Sequence, residues 1–220
     1  MKEIKIYKAE DGRLPYLSEI ISEIPSNTIF CKTLTGLGAT YTEIKSKRHS
    51  IIVEPNVSTI QSKEADSKHA DDNICAVYGE ITVDSIVKYI TESSGKHLKF
   101  LTTPESFHKI KKAFDDLDML GVMYYECFML FDECHKIIKD ADYRKTIQLP
   151  LSDFFKFKNK ALVSATPIEL SDVRFNGFTK LIISPQFDFR QPLTVEFTNN
   201  TLAVIKEVIA KIGNNTVCID

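Results

Sequence analysis

Short apolar runs alternate with stretches of helical periodicity along this 220-residue chain, and that alternation limits the possible folds more than any other feature. Runs such as Ser50–Pro55 and Cys127–Glu133 are largely apolar at consecutive positions, as expected for strands buried on both faces of a parallel sheet. Between them, segments such as Ile81–Ser93 carry apolar residues three and four positions apart, which is typical of helices that cover a sheet. The pattern therefore predicts an α/β fold, with a mostly parallel sheet and helices on both faces.

The same patterns predict where the individual elements lie. Strands are expected in the main part of the chain at residues 27–32, 50–55, 74–79, 97–103, 127–133, 160–167 and 178–185. Helices are expected at about 14–24, directly after Gly38, and at 81–93, 105–114 and 202–212. The composition shifts near Asp188–Leu193, and an apolar segment at 215–220 ends with the chain. We therefore expect one domain at 1–190, followed at 191–220 by a linker and the start of a truncated second domain.

Composition narrows the possible classes of protein. The net charge of −2 argues against a strongly basic, histone-like binder, although backbone amides and hydroxyl groups can still hold the phosphates of a nucleic acid. No apolar run is long enough to cross a bilayer, and the N-terminus lacks the apolar core of a signal peptide. The five cysteines include no C-x-x-C pair. We therefore expect free thiols, a cytoplasmic location and no membrane partner.

The loop after the first predicted strand of the sheet has the form of a phosphate-binding loop. Its sequence TLTGLGAT, at 33–40, can be aligned with the P-loop pattern G-x-x-x-x-G-K-[ST]. Gly36 and Gly38 would let backbone N–H groups turn toward an anion, and Thr40 would offer its hydroxyl group to a magnesium ion. Thr33 replaces the first glycine of the pattern and Ala39 replaces its lysine. The alternative is a flexible turn between strand and helix that binds no ligand.

Two carboxylates follow the strand at 127–133. Asp132 and Glu133 are expected at the carboxyl end of that strand, where ligands bind in open α/β folds. One carboxylate could orient a magnesium ion while the other polarises the attacking water. An exposed acidic helix cap is the alternative. The small hydroxylated residues Ser164 and Thr166, in the last part of the segment at 160–167, could bond to these carboxylates, or could form only a tight turn at Pro167.

A third strand-to-helix junction carries the sequence TTPES, at 102–106. Free N–H groups at the start of the following helix could hold a backbone phosphate of a nucleic acid. The segment VEPNVSTIQ, at 53–61, has the same form. In both places an ordinary capped helix is the alternative interpretation.

These pieces occur in the order T-G-x-G-x-T, T-P-E, D-E-C-H and S-A-T. The series resembles the first RecA-like domain of superfamily 2 helicases and translocases, over about Leu14–Pro185. The segment FDECH is similar to their DEAD/DEAH motif, VSATP to motif III, TTPES to their strand-binding T-P motif and VEPNVSTIQ to a shortened motif Ia. The resemblance implies a RecA-like P-loop NTPase domain that takes ATP and Mg²⁺ as cofactors.

The resemblance also implies roles for particular residues. Asp132 and Thr40 would hold magnesium, and Glu133 would be the general base for the hydrolytic water. The phosphates would lie against the loop residues Thr35, Gly36, Leu37, Gly38, Ala39 and Thr40. The nucleotide state would be coupled to nucleic-acid binding through His135, Ser164, Ala165 and Thr166. The backbone of one DNA or RNA strand would run along Pro55, Asn56, Thr103, Pro104 and Glu105.

The chain departs from the family pattern in two places. Ala39 stands where the family has its P-loop lysine. The segment RLPYLSEII of this chain resembles the family segment R-x-Y-Q-x-x-x-I, and Leu17 stands in place of the glutamine that reads adenine. A charge-assisted hydrogen bond contributes about 1.5–3 kcal/mol, so both nucleotide binding and hydrolysis should be weaker. Lys32 and Lys45 are the nearest cations, but we expect Lys32 to lie too early, on the strand, and Lys45 to point elsewhere.

Three functional hypotheses remain open at this point. The first is the motor domain of a helicase-like, nucleic-acid-dependent ATPase, with degenerate nucleotide contacts. Such enzymes need a second RecA-like domain, which closes the ATP site with an arginine. The second is a non-hydrolysing module that keeps the fold to bind nucleic acid or a protein. The third is a translocase subunit of a restriction or mobile-element system, which would share the same motifs.

Overall fold

The computed structural model of the chain describes residues 2–135, 148–166, 172–188 and 199–212. The chain divides into two compact units, Met1–Phe187 and Asp188–Asp220. In the second unit the structure describes one helix, which begins after Asn200. The Oδ1 atom of Asn200 accepts a hydrogen bond from the Ala203 N–H at the start of this helix. No helix in these four described segments is both long and apolar enough to cross a bilayer.

The first unit is built on one parallel sheet of eight strands. The strands are β1 Lys2–Ile6, β2 Thr28–Cys31, β3 Ser50–Val53, β4 Ile74–Val77, β5 Lys99–Thr102, β6 Phe128–Phe131, β7 Asn159–Ser164 and β8 Thr179–Pro185. Their order across the sheet is β1-β8-β2-β7-β6-β3-β5-β4. The described α-helices are α1 Ala39–Lys45, α2 Val57–Ala65, α3 Val83–Glu92, α4 Phe107–Asp116, α5 Leu120–Tyr125, α6 Gln148–Phe154 and, in the second unit, α7 Thr201–Ile212. Short 3₁₀ helices occur at Leu17–Glu19, Ser67–His69 and Val173–Phe175.

Helices cover both faces of the sheet, because alternate residues of each central strand point to opposite sides. Ile51 and Met129 belong to the apolar cluster that contains side chains of α3, α4, α5 and α6. Ile52 and Leu130, their chain neighbours, belong to a second cluster that contains side chains of α1 and α2. The central strands are buried along their whole length, which explains why they are apolar at consecutive positions. The predicted α/β RecA-like class, with a parallel sheet between two layers of helices, is confirmed.

The register of the strands brings several predicted site residues to one edge. Cys31 at the end of β2 pairs with Ser164 at the end of β7, and Val53 of β3 pairs with Phe131 of β6. Since all strands are parallel, the residues that follow these four strand ends lie along the same carboxyl edge. That edge is where an open α/β fold binds its ligands.

The predicted helix at 14–24 is wrong. In its place the structure has the 3₁₀ turn Leu17–Glu19 and irregular chain. The Leu17 N–H donates to the carbonyl of Leu37, at 2.7 Å, and the Tyr16 N–H donates to the Glu19 carboxylate, at 2.8 Å. Leu17 and Ile24 are both fully buried in the cluster around α1 and α2, so the apolar spacing arises from a loop that packs into the core.

The other local predictions fare better, with three omissions. All seven predicted strands of the first unit are present, and the helix expected at 202–212 is α7. Strand β1 was not predicted because only Ile6 of its five residues is fully buried, so its pattern is that of a solvated edge. Helices α5 and α6 were also not predicted. The apolar segment at 215–220 and the turn residue Pro167 lie outside the described residues.

Candidate functional site

The loop between β2 and α1 is shaped by residues with positive φ angles. Gly36 and Gly38 have φ values of +74° and +76°, a region that side chains with a Cβ atom rarely adopt. Thr33 also has a positive φ, of 56°, and its hydroxyl group donates to the carbonyl of Ile183 at 2.6 Å, which ties the loop to β8. The glycine positions that the P-loop alignment singled out are therefore those at which the backbone turns.

The six predicted loop residues divide into exposed and buried positions. Thr35 and Gly36 are exposed, whereas Leu37 and Ala39 are buried in the apolar cluster beneath the loop. Leu37 and Ala39 therefore anchor the loop by packing, and their contact with an anion would be through the backbone. Thr40 is also buried, but its hydroxyl group is directed to carboxylates.

The first carboxylate after β6 meets this loop directly. Thr40 Oγ1 lies 2.6 Å from Asp132 Oδ2, so the loop and the DEAD-like segment are in hydrogen-bonding contact. The backbone N–H of Asp132 donates to the Val53 carbonyl at 3.1 Å, which continues the pairing of β6 with β3. Glu133 has a positive φ of 48° and its N–H donates to Asp132 Oδ1 at 2.8 Å. The chain therefore turns sharply here and leaves Asp132 buried and Glu133 partly exposed.

Lys32 lies inside the site, contrary to the expectation that it sits too early on the strand. Strand β2 ends at Cys31, and the Lys32 N–H donates to the Ser164 carbonyl at 2.8 Å. The side chain extends past the end of β7 toward β6, where Nζ lies 3.1 Å from Asp132 Oδ1 and 2.7 Å from Glu133 Oε1. Burial opposes the charge of Lys32, but the two carboxylates outweigh that cost and raise its pKa.

Lys45 points away from the site, as predicted. Its Nζ lies 2.6 Å from Asp72 Oδ2 and donates to the Lys68 carbonyl at 2.7 Å. It therefore belongs to the contacts between α1 and the segment before β4, and it cannot serve an anion held by the loop without leaving them.

Glu54 is a site residue that the sequence analysis did not identify. It follows β3 as Asp132 follows β6, and the pairing of Val53 with Phe131 sets the two acids side by side at the carboxyl edge. The signal was available in principle, since Glu54 directly follows a strand that is buried along its whole length. It was missed because the sequence does not show which strand lies next to β3, and only the pairing with β6 places Glu54 beside Asp132.

Glu54 and Asp132 share the hydroxyl group of Thr40. Thr40 Oγ1 lies 2.6 Å from Glu54 Oε1 and also 2.6 Å from Asp132 Oδ2. A hydroxyl group has one hydrogen, so it donates to one carboxyl, and the other contact is a hydrogen bond only when that carboxyl is protonated. Burial, assisted by the charge of Asp132 and opposed by Lys63 at 3.7 Å, raises the pKa of Glu54 to about 7. In its protonated form Glu54 can therefore donate to the Thr40 hydroxyl group, while that hydroxyl group donates to Asp132.

The predicted coupling residues form one connected group. His135 Nδ1 lies 3.4 Å from Glu133 Oε2 and 2.9 Å from Ser164 Oγ. Ser164 Oγ in turn accepts a hydrogen bond from the Thr166 N–H at 3.1 Å and lies 3.2 Å from its hydroxyl group. Ala165 lies between these two residues and is half-buried. The histidine of the DEAD-like segment thus connects the end of β6 to the end of β7.

The predicted nucleic-acid-binding residues lie in two groups. Pro55 and Asn56, after β3, line the same cleft as the loop and the carboxylates. Thr103 and Pro104, after the neighbouring strand β5, are buried, and Glu105 is exposed. The carbonyl of Thr103 accepts hydrogen bonds from two N–H groups of the turn that leads into α4. This second group therefore lies outside the cleft. The Thr103 carbonyl accepts bonds at the start of α4, which agrees with the alternative interpretation of an ordinary capped helix.

The cleft itself has a volume of about 310 Å³, at the lower end of the range for small-molecule sites. It is lined by the glycine loop, by the three carboxylates Glu54, Asp132 and Glu133, and by the two lysines Lys32 and Lys63. No group of three or more His, Cys, Asp or Glu side chains in the described part of the chain has the geometry of a metal cage. The oxygen donors instead suit Mg²⁺, which is usually held by one or two protein oxygens together with substrate phosphates.

A larger hollow, of about 540 Å³, lies at the opposite edge of the sheet. It is lined by residues at the beginnings of strands, including Lys2 and Thr179, and by none of the residues predicted for the site. We regard the smaller cleft as the candidate site because ligands of open α/β folds bind at the carboxyl edge, where the titratable groups also converge.

Fold and cleft together define an α/β domain with a charged, oxygen-rich cleft at the carboxyl edge of a parallel sheet. No protein-family model matches the chain, and no curated protein sequence matches it significantly. The likeness to superfamily 2 domains therefore stands on the order of the motifs in the sequence.

Proposed function

We propose that the chain is the first motor domain of a helicase-like ATPase, which binds ATP and Mg²⁺ and couples hydrolysis to the binding of DNA or RNA. One observation carries this proposal: hydrogen bonds link the glycine loop, the two carboxylates after β6 and the serine at the end of β7 along one edge of the sheet. The contact of 2.6 Å between Thr40 Oγ1 and Asp132 Oδ2 is the central one. A nucleotide held by the loop would lie within reach of both carboxylates.

The residues of the cleft fit this chemistry. Thr40 and Asp132 offer a hydroxyl and a carboxylate oxygen to Mg²⁺, whose remaining ligands would be phosphates and water. When bound, ATP supplies the bond to be broken and Mg²⁺ neutralises charge on its phosphates. Glu133 would accept a proton from the attacking water, because its carboxylate is partly exposed to the cleft while Asp132 is buried.

Coupling to nucleic acid would run through His135. It contacts Glu133 on one side and Ser164 on the other, so a displacement at one strand end is transmitted to the next. Pro55 and Asn56 would contact the backbone of one DNA or RNA strand beside the cleft, with Glu105 further along. A second RecA-like domain would complete the ATP site. We also propose a cytoplasmic location, which the four free cysteines among the described residues support.

A second function, that of a non-hydrolysing binding module, is favoured by a different observation. Ala39 is buried in the apolar cluster, so the loop offers no side-chain cation of its own. Lys32 is paired with both carboxylates, so part of their charge is already compensated by the protein. A module of this kind would bind nucleic acid or a protein and leave ATP unchanged.

Measurements on Glu133→Gln separate the two functions. We expect the purified protein to hydrolyse ATP slowly and to respond to single-stranded DNA or RNA. Because Glu133 is the proposed base, Glu133→Gln should lower kcat by about 100-fold or more while ATP affinity, measured by calorimetry, changes only a few-fold. Glu126→Gln is the matched control, since Glu126 is an exposed glutamate at the opposite end of β6.

Two results would contradict the ATPase proposal. Hydrolysis by Glu133→Gln at the wild-type rate would remove Glu133 from the mechanism. A wild-type protein that binds single-stranded nucleic acid or a protein partner, yet binds no ATP at millimolar concentration, would favour the binding module.

A further inference from the structure

We infer that Lys32 supplies the positive charge that a P-loop lysine would provide, reaching the phosphates of the nucleotide from the end of β2. This inference rests on the proposed function, because it names the group that recognises the polyphosphate part of the ligand. It assigns a phosphate-binding role to a lysine seven positions before the residue that aligns with the P-loop lysine.

The position of Lys32 is set by the sheet. Its N–H donates to the Ser164 carbonyl, so its backbone is held where β2 and β7 end together. The residue is only 5% exposed, and its side chain lines the same cleft as Gly36, Gly38 and Thr40. The ammonium group is therefore delivered to the cleft by a rigid strand end.

The charges of the cleft require such a cation. Glu54, Asp132 and Glu133 line it, and a polyphosphate entering beside three acids would be repelled unless a cation met it. Lys32 and Lys63 are the two lysines that line the cleft in the described part of the chain. Lys63 pairs with Glu54 at 3.7 Å and its side chain is 24% exposed, whereas the side chain of Lys32 is 7% exposed and contacts both acids after β6.

The ion pairs of Lys32 hold its ammonium group between the two acids after β6. Its Nζ lies 3.1 Å from Asp132 Oδ1 and 2.7 Å from Glu133 Oε1, so one ammonium group pairs with both of the carboxylates proposed to serve magnesium and water. A phosphate oxygen is an equally good acceptor for an ammonium group. A small rotation of the side chain would exchange a carboxylate for a phosphate and release that carboxylate for its own role.

Lys32→Gln tests the inference directly. It keeps most of the side-chain volume and hydrogen-bonding capacity but removes the charge. We expect the affinity for ATP and for inorganic triphosphate, measured by calorimetry, to fall by about 10- to 100-fold, and the affinity for AMP to fall less. Lys45→Gln is the matched control, because Lys45 lies near the loop but is held by Asp72, and its affinities should stay within about twofold of wild type.

A variant without either acid distinguishes contact with phosphate from simple compensation of Asp132 and Glu133. If Lys32 acts only by compensating these acids, Lys32→Gln/Asp132→Asn/Glu133→Gln should bind metal-free triphosphate as well as Asp132→Asn/Glu133→Gln does, and the inference fails. If Lys32 contacts the phosphate, the triple variant should remain at least about tenfold weaker than Asp132→Asn/Glu133→Gln. Thermal unfolding followed by circular dichroism shows whether each variant is folded at the temperature of the titration.

The outcomes also separate this inference from the proposed function. A wild-type protein that binds neither ATP nor triphosphate overturns the proposed function itself. A wild-type protein that binds both, together with Lys32→Gln binding them equally well, overturns only the role of Lys32.

Discussion

At the scale of single residues, the buried charges divide between the two edges of the sheet. At the carboxyl edge they form the candidate site, whereas at the amino edge a second set is structural. Glu43 is fully buried there and accepts hydrogen bonds from the Arg48 guanidinium group and from the Ser50 hydroxyl group. Lys99, at the start of β5, donates to the carbonyls of Glu43 and Ser46 and is 2% exposed.

Lys99 makes stability depend on pH in a predictable direction. Burial lowers its pKa from 10.5 to about 8, although the charge of Glu43 partly offsets this. Because the unfolded chain binds this proton up to higher pH, the contribution of Lys99 to stability should improve as pH rises from about 8 to 10.5. The full shift corresponds to at most about 3 kcal/mol.

Urea unfolding at several pH values from 7 to 10.5 measures this effect. We expect the stability of wild type to rise relative to Lys99→Met over that range, since the variant lacks the titrating group. Taking the difference between the two proteins removes the contributions of other groups, such as tyrosines. Lys88→Met, at an exposed position of α3, should show no comparable trend relative to wild type. A pH-independent difference for Lys99→Met would show that the lysine stays charged in the folded state throughout.

At the scale of elements, the loop between β2 and α1 needs glycine at position 38 because of its backbone conformation more than because of lack of space for a side chain. A Cβ atom added to Gly38 would have its nearest contacts at 3.5 and 3.8 Å, which are ordinary van der Waals distances. The positive φ of +76° is therefore the main obstacle to a larger residue there. Glycine is needed because the chain must reverse before α1 begins at Ala39.

Two glycine-to-alanine substitutions test this explanation. Gly38→Ala should lower the free energy of unfolding by about 1–2 kcal/mol, because an L-residue is strained in the left-handed region. Gly121→Ala, at an open position within α5, should instead raise it by about 0.5–1 kcal/mol, since alanine is the better helix former. Chemical denaturation of both variants gives the comparison. Equal effects of the two substitutions would mean that the loop relaxes freely and that its shape is not set by Gly38.

At the scale of the whole molecule, the residues that the structure describes in the two apolar clusters all belong to the first unit. Every buried residue described in either cluster lies between Ile6 and Ile183. A chain of this length can bury enough apolar surface on both faces of an eight-stranded sheet to fold cooperatively. The unit Met1–Phe187 therefore has the cores that independent folding requires.

A shortened chain ending at Phe187 checks this expectation. We expect it to unfold in one cooperative transition, with a midpoint within a few degrees of that of the 220-residue chain. Circular dichroism during heating, supported by calorimetry, would measure the midpoint. A chain ending at Thr179 is the control, because it lacks nearly all of β8, which lies between β1 and β2, and should not fold stably. Loss of cooperativity in the longer of the two would show that residues after 187 contribute to the core.

The sequence by itself determined the elements of the sheet and most of the residues at its carboxyl edge. Buried parallel strands must be apolar on both faces, so β2 to β8 could be recognised as apolar runs. Asp132 and Ser164 were found at the ends of two of them, and Thr40 at the start of the helix after the glycine loop. Turn chemistry likewise marked Gly36 and Gly38, because their φ values are positive. These features are local, and local physical chemistry is what a sequence displays directly.

Only the tertiary structure decided which strand ends are neighbours. The order β2-β7-β6-β3 brings Lys32 to Asp132 across one intervening strand, and it sets Glu54 beside the same acid. Neither contact has a signature in the sequence, since the partners are separated by 100 and 78 residues in the numbering of the chain. The same holds for residues 14–24, whose apolar spacing is that of a helix but whose side chains are buried from an irregular loop. Packing between distant segments settles both cases, because the free energy of burial depends on what lies opposite a side chain in space.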